Sequence, residues 1–213
     1  YNLNEGVGST VTNATVVANL DGAITGSSWA NSLAVIGDSM MHAQTDVRAL
    51  WLGMNNSPVE DVRSVSTTNG LSVVTKVDTL NYLMFGHNDG SGISFAGLPQ
   101  IAIDESSERT DRTWFFDVQT VEGSFKSQFV FDLSDAAGGG TELNDVGAAA
   151  NYTLYHRTSI SSDFTAVCAA NLFNAGKVIF DSVKVESGYY AVGVSNNPIV
   201  ESCDGSVIDT TDA

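Results

Sequence analysis

The sequence predicts an all-β protein: an antiparallel β-sandwich, jelly-roll or immunoglobulin-like, forming a single domain with an N-terminal β-prone extension. Short runs of alternating apolar and polar residues recur along the chain, the signature of strands with one buried face. Clusters of Gly, Asn, Asp and Ser separate them, and these are the residues that turns require. No segment of twelve or more residues keeps a 3.6-residue apolar period. At 213 residues the chain has the length of one sandwich and buries roughly 70% of its unfolded surface. The expected division is an extension over 1–20, a sandwich over 21–200 and an acidic tail over 201–213.

Tyr1 to Thr10 are polar and Gly-rich, and Val11 to Leu20 form a β-prone run that ends at the Asp21-Gly22 turn. Such a strand either pairs at the edge of its own sheet or adds to a neighbouring copy. In the second case Val11, Val16, Val17 and Leu20 fill a groove in the next subunit. Leu33 to Ile36 reads as a strand ending in a Gly37-Asp38-Ser39 turn, and further strands are expected at Leu71 to Val77 and Leu80 to Phe85.

The clearest strand is Arg112 to Val121, with Trp114, Phe116 and Val118 on one face; Phe125 to Leu133 follows, with Phe125, Phe129, Phe131 and Leu133 on one side. Only Glu122-Gly123-Ser124 separates the two, so they are expected to pair as a hairpin. Asn151 to His156, Lys177 to Lys184 and Gly188 to Val194 complete the series.

Twenty-five acids against nine Lys and Arg give a net charge of −16 at 16% charged residues, so the surface is anionic on a globular body. Such a surface repels phosphates and anionic lipid, which removes nucleic acid from the expected partners. No uninterrupted apolar run of 18 residues occurs, so direct membrane insertion is not expected either. The chain opens on Tyr1 without an intact secretion signal, as after loss of a leader or trimming. Cys168 and Cys203 lack any CxxC or histidine companion, and a single disulfide is the favoured reading over two buried thiols. A disulfide fits an extracellular or cell-surface location.

No catalytic residue is assigned, and the chain reads as a non-enzyme. Gly37-Asp38-Ser39-Met40 superficially resembles the nucleophile block of a family of esterases, but no Asp-x-x-His follows and the last histidine is His156. Asp104, Glu105, Glu108, Asp111, Asp117 and Glu122 are too easily paired among 25 acids to mark a glycosidase. His42, His87 and His156 lack transition-metal spacing. Calcium is the candidate cofactor, none being obligatory, with Asn88, Asp89, Asp132 and Asp135 as candidate ligands on turn-rich segments. The same residues serve turns equally well.

Taken in order, Asn81-Tyr82-Leu83-Met84-Phe85-Gly86-His87-Asn88-Asp89-Gly90, Arg112-Thr113-Trp114-Phe115-Phe116-Asp117-Val118-Gln119 and Phe129-Val130-Phe131-Asp132-Leu133-Ser134 form a pattern. Tyr152-Thr153-Leu154-Tyr155-His156-Arg157 and Gly188-Tyr189-Tyr190-Ala191-Val192-Gly193 continue it. The pattern resembles a β-sandwich module repeated in large secreted surface proteins of Bacteroidota and other marine bacteria, cargo of the type IX secretion kind. Ser32-Leu33-Ala34-Val35-Ile36-Gly37 is similar to that module's early strand, although the module's usual Arg-Asp-Asp after it is absent beyond Asp38. The resemblance implies extracellular display, a structural or adhesive role, and core positions for Trp114, Phe116, Phe131, Tyr152 and Tyr190.

The leading functional expectation is therefore a secreted structural subunit, a homopolymer assembling by strand addition into a filament or surface layer. A calcium-dependent adhesin or carbohydrate-binding module, with glycans as partners, is the first alternative. A polysaccharide-degrading enzyme on a β-sandwich scaffold is the second.

Overall fold

A computed structural model describes residues 9–11, 22–23, 25, 37–51, 61–66, 70–77, 81–98, 107–120, 125–144, 147–194 and 201–206. The chain divides into two compact units, Tyr1–Ala34 and Val35–Ala213. In the first, β1 (Thr10–Val11) pairs antiparallel with β2 (Gly22–Ala23), placing Val11 opposite Gly22. Val16, Val17 and Leu20, the other proposed groove-filling residues, lie outside the described residues.

The second unit is an antiparallel β-sandwich. A 3₁₀ turn (Ser39–Ala43) leads to β3 (Thr45–Leu50), β4 (Asp61–Ser66), β5 (Leu71–Val77), β6 (Tyr82–His87), β7 (Ile93–Ser94), β8 (Glu108–Thr110) and β9 (Trp114–Gln119). Then come β10 (Phe125–Asp132), a helical turn α1 (Leu133–Ala136), β11 (Tyr152–Arg157), β12 (Thr165–Ala169), β13 (Leu172–Asn174), β14 (Lys177–Val185) and β15 (Gly188–Val194). One sheet has the order β13-β14-β10-β5-β4; the other has β12-β11-β15-β9-β6-β3, with β8 also paired to β15 and β7 to β8.

The expected hairpin between β9 and β10 does not form. β9 pairs with β6 and β15, and β10 pairs with β5 and β14, so the two strands belong to opposite sheets. The apolar faces meet across the sandwich: Phe116 stacks on Phe129 at 4.9 Å and Trp114 meets Phe131 edge-on at 5.1 Å. Alternation sets which face of a strand is buried and is satisfied by either arrangement. Each aromatic found in the other sheet a partner at the spacing that ring quadrupoles favour.

The inter-sheet core contains Leu71, Val73, Leu83, Phe85, Trp114, Phe116, Phe129, Phe131, Tyr152, Phe180 and Tyr190, all buried. In β14 the alternation breaks: Val178 and Phe180 point inward, then Val183 and Val185. Ser182 at φ 58° absorbs the extra residue, and the register to β10 shifts between Ser127 and Phe129. This is a β-bulge that keeps both ends of a long strand in the core. β14 and β15 lie in different sheets, and Tyr190 fastens the corner between them: its hydroxyl accepts from Glu186 N at 2.9 Å and donates to Glu186 O at 3.2 Å. Burial and the nearby Glu186 carboxylate raise the Tyr190 pKa, keeping the hydroxyl protonated as the donor.

All seven residues of β15 are buried because its sheet is covered on both faces. A second cluster of Met41, Leu98, Phe115, Tyr155, Phe164, Tyr189 and Ala191 packs on the outer face. Cys168 and Cys203 are joined, which anchors Glu201–Ser206 to β12 through a parallel bridge between Ala169 and Ser202. No helix among the described residues is long and apolar enough to cross a membrane.

Candidate functional site

Three features of the sandwich unit bear on function: the loop cluster expected to hold calcium, one flank of the sandwich, and a cleft on the outer face.

In the loop cluster, Asn88 Oδ1 accepts from Gly90 N at 3.1 Å and Thr113 N at 2.9 Å, an Asx turn that closes the loop after β6. Arg112 is 5% exposed, and its Nε donates to Gly90 O at 3.1 Å while Nη1 donates to Asp135 O at 3.0 Å. The exposed Asp89 carboxylate lies 3.8 Å from Nη2. Gly138, at φ 57°, must lack a side chain because a Cβ there would stand 2.3 Å from Arg112 Nη2. Asn88, Asp89 and Asp135 are thus brought around one guanidinium, which supplies the positive charge between the loops. Asp132 is held elsewhere, accepting from Ser134 Oγ at 2.8 Å and lying 3.8 Å from Lys177 Nζ. Among the described residues no group of three or more His, Cys, Asp or Glu is close enough to hold a metal ion. Gly86–Gly90 and Arg112–Gln119, two of the quoted motif segments, meet at this guanidinium, and Asp135–Gly138 just beyond a third closes it.

The flank is a contrast in edge chemistry. β12 ends one sheet and β13 ends the other, and residues 165–174 join them as Thr-Ala-Val-Cys-Ala-Ala-Asn-Leu-Phe-Asn, with no charge. Val167 is 43% and Leu172 49% exposed on this segment. The opposite flank is β3 and β4, and on β3 Asp46 and Arg48 place charges of both signs at the edge. Asp46 pairs with Arg48, and its φ of 48° bends β3 out of register with β6. Charges and bulges are the usual devices that prevent strand addition. Residues 165–174 carry one bulge, at Val167, and none of the charges.

The cleft follows from strand register. Arg157 on β11 sits opposite Tyr189 on β15, and Tyr189 opposite Phe115 on β9, so the three form a row across the outer face. The Phe115 and Tyr189 rings are 4.9 Å apart, and the Arg157 guanidinium lies 5.3 Å from the Tyr189 ring and 4.5 Å from that of Phe164. Arg109 stands over Phe164 as well, at 4.7 Å. Burial, with the like charge of Arg157, lowers the Arg109 pKa to about 10. A cleft of about 350 Å³ opens over Phe115 and Tyr189, lined also by Asp38, Met40, Thr158, Ser159, Ile160, Ser187 and Gly188, and Arg157 stands behind its Tyr189 wall, 5.3 Å from that ring.

Other expected positions are structural. Asp38 caps the 3₁₀ turn, its Oδ1 accepting from Met40 N at 2.8 Å, while its own N–H donates to Asp117 Oδ2. Glu108 is buried and accepts from Asn144 N; Asp104, Glu105 and Glu122 lie outside the described residues. His42 is exposed, His87 lies on β6 and His156 on β11, with β15 and β9 between them in the sheet, so the histidines do not converge. Arg109, Arg112 and Tyr189 are site residues that the sequence does not mark, and Arg157 stands out in it only as the neighbour of Tyr155 and His156. The available signal was that two of only nine cations flank aromatic strands.

No known protein family, curated protein or solved structure matches the chain.

Proposed function

We propose that the chain is a secreted structural subunit that assembles with copies of itself into an extracellular filament or surface layer by adding a strand at the flank over 165–174. The observation that carries this reading is the asymmetry of the edge strands: β3 bears charges of both signs, whereas β12 and β13 themselves bear none and expose two aliphatic side chains, and among the described residues Glu201–Ser206 bridges to this edge at Ala169. An edge presents unpaired main-chain donors and acceptors, and a strand added there gains a ladder of hydrogen bonds. The incoming strand is the β-prone segment Val11–Leu20 of a neighbouring copy, rich in β-branched residues. The disulfide suits an oxidising compartment, and the anionic surface opposes indiscriminate aggregation.

The test compares V167K with V47K, a matched lysine on the charged flank, by light scattering and negative-stain electron microscopy. Both positions are exposed, so neither change disturbs the core. Filaments or sheets are expected from the wild type and V47K and not from V167K, and deletion of residues 1–20 is expected to leave folded monomers. Assembly by V167K, or by the truncated chain, would refute the mechanism. Equal loss in V167K and V47K would refute the flank assignment.

A further inference from the structure

The outer-face cleft has the chemistry of a binding site, and this goes beyond self-assembly. Two of the nine cations, Arg109 and Arg157, stand over one phenylalanine ring without an ion pair to either among the described residues. Arg109 is held by the carbonyls of Ala96 and Thr110 and feels the Asp111 carboxylate, which leaves Arg157 as the cation with the fewer partners. Arg157 Nε and the Tyr189 hydroxyl are buried, and neither has a hydrogen-bond partner among the described residues. Tyr189 is only 3% exposed and lines the cleft. Leaving two such donors unpaired is costly, and a ligand that accepts from them recovers that cost.

The remaining walls narrow the ligand. Phe115, Met40 and Ile160 are apolar, Ile160 being 67% exposed. Thr158 and Ser159 contribute hydroxyls, while that of Ser187 is spent on Val118 N and O. Asp38 spends Oδ1 on its own turn, which leaves a second carboxylate oxygen to accept from a hydroxyl. Gly188, at φ 139°, lies against Arg157 O and His156 Nε2, where a Cβ would stand 2.5 Å from each, so a glycine is required for β15 to approach β11 this closely beside the cleft. The volume of about 350 Å³ is at the lower end of small-ligand sites. We infer that this cleft binds an anionic sugar unit, its carboxylate or sulfate on Arg157 and Tyr189, its hydroxyls on Asp38 and the Ser/Thr rim, and its apolar C–H face on Phe115 and Ile160.

The test is a titration followed through the Arg Nε–H resonances, using glucuronate and glucose 6-sulfate as the anionic sugars and glucose, glucosamine, acetate and inorganic sulfate as comparators. Both anionic sugars are expected to shift the Arg157 Nε–H signal and to bind at least roughly tenfold more tightly than glucose, the factor that a charge-assisted pair supplies. R157Q is expected to remove that advantage and Y189F to reduce it, with near-ultraviolet circular dichroism unchanged. I160D provides a variant whose folding is not in question, because the side chain is exposed; its carboxylate should repel the anionic sugars. Binding that is unaffected in both R157Q and I160D would overturn the assignment, as would no binding by either sugar. Equal shifts with acetate or sulfate alone would reduce the site to a simple anion site. Tighter binding of glucosamine would make Asp38 the anchor instead.

Discussion

Replacing Arg112 with methionine tests the loop cluster most directly. The substitution keeps the length of the apolar stem and removes the guanidinium that donates to Gly90 O and Asp135 O. Hydrogen bonds from a charged donor contribute about 1.5–3 kcal/mol each. Gly90 is partly and Asp135 largely exposed, so their carbonyls recover some hydration and the lower end applies, a loss of about 3 kcal/mol. The Asp89 contact at 3.8 Å, to a carboxylate 72% exposed, adds little. Urea unfolding of R112M should show a lower midpoint with an unchanged slope. Amide exchange should speed up at Gly92 and Asp111, because Gly92 N donates to Ala137 O and Asp111 N to Gly92 O across these loops. R112K should fall between the two, since an ammonium cannot span both carbonyls in the guanidinium's planar geometry. A loss below about 1 kcal/mol, too small for even one charged bond, with exchange unchanged at both amides, would show that Arg112 does not clasp the loops.

The disulfide closes a 35-residue separation that contains β13, β14 and β15, so the loop it constrains includes central strands of both sheets. C168A/C203A should therefore cost about 4 kcal/mol by loop entropy; a loss of unfolding free energy under about 1 kcal/mol in urea would mean that only Glu201–Ser206 detaches. Burial depresses the pKa of His87, aided by Arg112, and also that of His156. The unfolded chain then binds more protons, so stability is full above the ordinary value near 6.5 and falls as pH drops toward the lowered folded values. His87 gives the structural cause, because its Nδ1 accepts from Asp89 N and cannot do so once protonated. Melting temperatures at pH 7.5, 6.0 and 5.0 should decline in that order, and less steeply in H156Q; a flat profile would contradict the burial of these rings.

Strand positions were largely legible in the sequence. Leu71–Val77 and Gly188–Val194 form as expected, and Trp114, Phe116, Phe131, Tyr152 and Tyr190 are core. The Cys168–Cys203 pairing follows from there being only two cysteines. These are local properties: a period of two fixes which side chains share a face, and turn residues fix where a strand stops. Short, irregular strands such as β12 and β13 carry too few residues for that period to register.

What a strand pairs with is not local. Five residues separate β9 from β10, and they reach about 16 Å when extended, more than the roughly 10 Å between packed sheets. The same link therefore permits a hairpin or a crossing, and aromatic packing across the core decided for the crossing. The uncharged flank exists only because residues 165–174 end both sheets. The Arg157–Tyr189–Phe115 row exists only because β11, β15 and β9 are neighbours in one register. Composition and alternation determined the strands, the disulfide and the anionic surface; long-range pairing, set by the summed energy of the whole core, decided which residues meet to form an edge, a clasp or a cleft.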